Sequence, residues 1–105
     1  MPPAQTQIEA LQRLWAIANG HSGRAGTVAR FLLGLYNGQR FPFDLSEFRK
    51  LDVATFEDCL QALQMDCRPH QEVHGVLGVG SEEFEWLALS WGLDDSQDGR
   101  DSFIQ

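Results

Sequence analysis

The stretch that decides the fold is Arg24-Ala25-Gly26-Thr27-Val28-Ala29-Arg30-Phe31-Leu32-Leu33-Gly34-Leu35-Tyr36-Asn37-Gly38. Within it Ala25, Val28, Phe31, Leu32, Leu35 and Tyr36 recur with the spacing of one helix face. Asn37-Gly38 supplies residues that close a helix, and the polar hinge His21-Ser22-Gly23 precedes it. Arg24 and Arg30 fall at the edges of the apolar stripe, where they are expected to reach solvent or a partner.

Working towards the N-terminus, Thr6 and Glu9 have the T-x-x-E spacing of a capping box. Ile8, Leu11, Leu14, Trp15 and Ala18 follow on one face, and Gly20 offers a stop, so a helix is expected over 7–19. Towards the C-terminus, Phe41-Pro42-Phe43 breaks the helical pattern, because Pro42 constrains itself and the residue before it. The two phenylalanines are expected to plug the join between helices. Asp44 and Glu47 repeat the capping-box spacing and predict a short helix with Leu45, Phe48 and Leu51 inward. Asp52 reads as a fresh N-cap, and Val53, Phe56, Cys59, Leu60, Leu63 and Cys67 form the next predicted inward stripe, ending before Pro69.

Residues 70–75 could add one or two turns, and Gly75, Gly78 and Gly80 predict a flexible loop. Gly80 or Ser81 then caps a last helix over 82–91, whose acidic first turn suits the positive end of the helix dipole. Phe84, Leu87, Ala88 and Trp91 make its inward stripe; Trp86 and Leu89 lie off it, and Gly92 ends the helix. No alternation typical of strands is present. The expected architecture is all-α: a compact bundle of about five helices over 1–92, then a mobile acidic tail over 93–105 anchored only by Phe103 and Ile104.

Composition agrees with one small domain. The chain has 105 residues, 43% hydrophobic and 22% charged, enough for one core and too few for two. No apolar run approaches the roughly 18 residues of a membrane span. Seven Phe, three Trp and only four Pro argue against general disorder. The opening Met-Pro-Pro-Ala-Gln has neither the basic nor the apolar region of a secretory signal, and two cysteines are too few for a disulfide framework. A cytoplasmic setting is the expectation.

Charge divides sharply along the chain. Residues 1–50 carry six basic and three acidic groups, a balance of +3; residues 51–105 carry two basic and twelve acidic, a balance of −10, which together give −7. The two halves either meet within the fold or turn the acidic half towards a basic partner.

Few residue sets point to chemistry. Cys59, Cys67, His70 and His74 could assemble a zinc site, but Cys59 also lies on an apolar stripe and C-x7-C is no standard knuckle. In His70-Gln71-Glu72-Val73-His74 the glutamate comes one residue too late for the metalloprotease motif, about 100° further round a helix. Gly78-Val79-Gly80 is followed by Ser81-Glu82-Glu83, which repels phosphate. Asp94-Asp95 falls in the expected tail, where nothing holds the pair for acid–base work. Direct nucleic-acid binding fits poorly with a pI near 4.7. Neither an enzyme nor a cofactor is expected.

The last helix carries the better clue. Trp86 and Trp91 are about 140° apart around a helix; Trp91 joins the inward stripe, leaving Trp86 beside Glu82, Glu83 and Glu85. An aromatic anchor with a charged rim is a common interface composition. The alternative is that a small bundle buries both tryptophans.

The run from Arg24 to Gly38, continued by Phe43-Asp44-Leu45-Ser46-Glu47 and Leu51-Asp52, resembles a family of small uncharacterised helical proteins carried on proteobacterial plasmids and integrative elements, over roughly residues 8–91. Its pattern consists of core and capping residues, so the resemblance implies a fold and supplies no catalytic residues. The setting implies an accessory role in a mobile element, such as anti-CRISPR-like inhibition of host defence.

The expected function is therefore a non-enzymatic protein-binding inhibitor or accessory protein. Its partner-binding candidates are Glu82, Glu83, Glu85, Trp86, Asp94 and Asp95, meeting a basic protein surface with no direct nucleic acid and no membrane. Reversing Glu82, Glu83 and Glu85 to lysine is expected to abolish binding and leave helicity intact. A homodimeric structural or regulatory domain and a small zinc-stabilised domain remain as alternatives.

Overall fold

A computed structural model of the chain describes residues 4–67 and 76–93. Among these the fold is all-α: α1 (Gln5–Ala18), α2 (Ala25–Tyr36), a 3-10 helix (Leu45–Lys50), α3 (Val53–Asp66) and α4 (Ser81–Ser90). Of the expected tail over 93–105, Leu93 is described and packs on the core rather than starting a free tail; residues 94–105 and the turns at 70–75 lie outside the described residues.

The first helix packs on both α2 and α3, and α4 lies on α2. The core follows the predicted stripes of α1, α2 and α4 in the main, but on α2 it also takes in Ala29 and Leu33, which lie off the stripe, while Leu35 and Tyr36 are only partly buried. Leu11, Leu14, Val28, Leu32, Leu33 and Phe84 are fully buried, each worth about 2–3 kcal/mol in apolar area removed from water. Phe84 sits between Trp15 and Tyr36, with ring centroids at 4.8 and 5.0 Å, so one side chain of α4 fastens that helix to α1 and α2. A second aromatic cluster joins the connection to the helices around it. Phe43 and Phe48 lie 5.6 Å from Phe31, and Phe48 lies 5.2 Å from Phe56. The Phe41-Pro42-Phe43 turn thus plugs the join: Phe41 is buried and Phe43 packs on the core.

Several boundaries differ from the sequence reading. The first helix begins two residues early, so Thr6 lies inside its first turn and the Thr6–Glu9 box does not form. Instead the Gln7 side chain accepts the Ala4 N–H at 3.2 Å. Its other end closes at Asn19, whose Nδ2 donates to the Trp15 carbonyl at 2.9 Å, and Gly20 adopts no left-handed conformation. At the 3-10 helix, Asp44 caps the Ser46 N–H as expected, but Glu47 turns away from the cap towards basic residues. Leu45, expected inward, is 73% exposed.

The largest correction concerns α3. Asp52 caps it through the Thr55 N–H and hydroxyl, but the buried face is Thr55, Cys59, Ala62 and Met65. Val53 is 73% and Leu60 41% exposed, and Cys67 faces solvent. Small residues on the inner face let α1 approach closely, and its Leu11 and Leu14 fill the space that larger α3 side chains would take.

The segment before α4 is less open than its glycines imply. Val76, Leu77 and Val79 pack against the core, and Gly78 takes φ +76° to turn the chain between them. At its far end α4 closes with Gly92 at φ +68°, its N–H on the Leu89 carbonyl and the Leu93 N–H on the Ala88 carbonyl at 2.8 Å. These two bonds form a Schellman motif, and Leu93 packs on the core as its apolar contact.

Candidate functional site

Four arginines of the first half, Arg13, Arg24, Arg30 and Arg40, are used within the molecule. Arg13 donates through Nε and Nη2 to both oxygens of Asp58, at 2.9 and 2.8 Å. Arg24 reaches Asp52 at 2.7 Å, and Arg40 holds Glu85 at 2.7 and 3.0 Å. Each of these three pairs joins the basic half to the acidic half. Arg30 pairs with Glu47 at 2.6 Å, which also receives Lys50 at 2.9 Å. Arg24 and Arg30 reach solvent as expected of the stripe's edges, and each also binds a carboxylate of the chain itself. Both carboxylates had no signal in the local sequence, lying 28 and 17 residues away.

The carboxylates register these partners. Arg30 and then Lys50 bring Glu47 down to about 2. The Thr55 hydroxyl, followed by Arg24, brings Asp52 down to about 2 despite some desolvation. Glu85 is held below the usual carboxylate range by Arg40 and by the Tyr36 hydroxyl, which donates to it at 2.7 Å. In return the Tyr36 phenol is raised, because its proton is committed to Glu85.

This arrangement separates the acidic residues that the sequence grouped together. Glu85 faces α2 and is engaged by two side chains. Glu82 and Glu83 are exposed, and no ion pair among the described residues engages them. Trp86 is 69% exposed, so the bundle does not bury both tryptophans. Trp91 instead takes the inward place, its indole N–H donating to the Ala18 carbonyl at 3.1 Å. Asp94 and Asp95 lie outside the described residues.

Beside Trp86 runs a shallow groove of about 510 Å³ between α1 and α4, lined by Trp15, Asn19, Val79, Glu83, Trp86 and Ser90. Leu89, 46% exposed, extends the apolar surface on the far side of Trp86. The contributions of Trp15 and Asn19 come from a helix some 70 residues earlier, which sequence spacing could not reveal. The groove has an indole wall, a carboxylate and an amide.

The thiols do not converge. Cys59 is buried in the core, and burial, with Asp58 nearby, pushes its thiol up to about 12. Cys67 is exposed, and His70 and His74 lie outside the described residues. No group of three metal-ligating side chains occurs among the described residues, and no described helix is long and apolar enough to cross a membrane.

A second opening of about 200 Å³ is lined by Phe31, Leu35, Phe41, Phe43, Leu45 and Phe48, with no charged or hydrogen-bonding side chain. It is an apolar seam of the aromatic cluster. No curated protein and no solved structure matches the chain. Residues 8–92 match the family of unknown function DUF7673, to which the chain belongs.

Proposed function

We propose that the chain is a non-enzymatic protein-binding domain whose docking face is the outer side of α4. One observation carries the reading: Trp86 stands largely exposed beside Glu82 and Glu83, while the carboxylates nearest the chain's own arginines are already paired. Burying the exposed part of an indole against a partner gains on the order of 3 kcal/mol from apolar area. The two carboxylates supply orientation and a preference for a basic surface. Carboxylates on this face repel nucleic-acid phosphates, so the partner is a protein with a basic surface. Where that surface belongs to a nucleic-acid-binding complex, occupying it inhibits the complex, which is the anti-CRISPR-like form of the reading. It is the form suited to an accessory protein of a mobile genetic element acting in the cytoplasm.

Glu85 leaves the set of docking residues, because Arg40 and Tyr36 hold it. The test is capture of partners from a bacterial lysate with wild type, the double variant E82K/E83K and the control E57K on α3. A basic protein captured by wild type and E57K but lost with E82K/E83K supports the reading. Retention by E82K/E83K, or equal loss with E57K, overturns it.

A further inference from the structure

The chemistry of the α4 face narrows its partner further, and we infer that the site takes an arginine side chain, with the guanidinium stacked on Trp86 and paired to Glu82 or Glu83. The inference rests on the docking face proposed above and names what that face recognises. Helical spacing places Glu82 and Glu83 one turn before Trp86, about 40° and 60° to either side of it. A planar cation lying on the indole therefore has a carboxylate at each edge. The groove side adds Trp15 as a floor and Asn19 and Ser90 as polar rim.

The fold already contains one arginine that meets both a ring and a carboxylate, the ring being that of its own sequence neighbour. Arg40 lies over the Phe41 ring, 4.7 Å from its centroid, and is bound through two hydrogen bonds by Glu85 of the same helix. Glu82, Glu83 and Trp86 repeat that pairing of ring and carboxylate on a face where the chain supplies no cation of its own among the described residues. Tryptophan is the strongest of the aromatic acceptors for a cation. Guanidinium is favoured over ammonium because it is flat, less strongly hydrated and able to stack while donating to a carboxylate.

The experiment titrates ¹⁵N-labelled full-length protein with two peptides of equal length and charge, one of arginine and glycine, the other of lysine and glycine, at about 0.15 M salt to screen long-range attraction. The three indole N–H resonances report separately, and the Trp86 signal is assigned by its absence in Trp86→Leu. The arginine peptide is expected to shift the Trp86 indole signal and to bind roughly five- to tenfold more tightly than the lysine peptide. Trp86→Leu is expected to remove that preference, and E82Q/E83Q to weaken both peptides. Equal affinity for the two peptides, or an arginine preference that survives in Trp86→Leu, overturns the inference. A lysate partner that still depends on Glu82 and Glu83 would then leave the docking face standing and reject arginine alone.

Discussion

Arg40 holds both carboxylate oxygens of Glu85, Nη1 to Oε2 at 2.7 Å and Nη2 to Oε1 at 3.0 Å, across 45 residues of chain. This contact ties the turn after α2 to α4 and pairs Glu85 within the chain. Because the pair is partly solvated, Arg40→Ala is expected to cost only about 1 kcal/mol. That corresponds to a fall in melting temperature of roughly 4–8 °C. The charge-swapped double variant R40E/E85R should recover most of the loss, and a thermal melt followed by circular dichroism checks both.

Acid should loosen the fold in a defined range. Glu47, Asp52 and Glu85 all sit below their ordinary values in the folded state, so their contribution is present at neutral pH and lost as pH falls. For Glu47 and Asp52 the loss begins near the ordinary values of 4.5 and 3.8 and is complete at about 2. The melting temperature should be flat above about pH 5 and decline below it. Replacing Glu47 with Gln and Asp52 with Asn should lower the plateau and flatten the decline.

Trp91 spans the molecule by donating its indole N–H to the last carbonyl of α1, 73 residues away. Trp91→Phe keeps a ring in place and leaves the Ala18 carbonyl without that donor. The expected loss is about 1–2 kcal/mol, measured by urea denaturation with an unchanged slope.

Gly34 sits at a close approach. A methyl group there would stand 3.2 Å from the Phe41 carbonyl oxygen and 3.5 Å from the Phe43 Cβ. Gly34→Ala should therefore destabilise the protein, although alanine is favoured by about 1 kcal/mol in a helix interior. A higher melting temperature for the variant would contradict this packing.

The two thiols should react very differently. Cys67 is exposed, whereas Cys59 is buried with its thiol pushed up to about 12. A colorimetric thiol reagent should titrate one equivalent in the native protein and two in denaturant.

Much of the backbone was legible because its signals are local. The stripe from Ala25 to Tyr36, the Asp52 cap and the Gly92 stop each depend on residues within two turns. The face of α3 was not, because Val53, Leu60 and Cys67 supply an apolar period, whereas the inner face is chosen by the fit of Thr55, Cys59 and Ala62 against α1. The choice between Trp86 and Trp91 followed from helical angle alone and matches the structure. That Glu85, unlike Glu82 and Glu83, has partners within the chain was not legible, because Tyr36 and Arg40 are 49 and 45 residues distant. The split of charge into +3 and −10 is partly resolved by the fold itself, through Arg13–Asp58, Arg24–Asp52 and Arg40–Glu85.

The most direct test of the α4 docking face is site-specific photo-crosslinking in bacterial cells. A benzophenone side chain replaces Leu89, beside Trp86 on α4, in one variant and Leu60, a comparably accessible apolar position on α3, in another. Both substitutions lie on the surface, leave Trp86, Glu82 and Glu83 in place and should change stability by no more than about 0.5 kcal/mol. A crosslink to a basic protein is expected from position 89 and none from position 60. A crosslink from position 60 alone, equal crosslinks from both, or only a self-crosslinked dimer from position 89 would contradict the docking face.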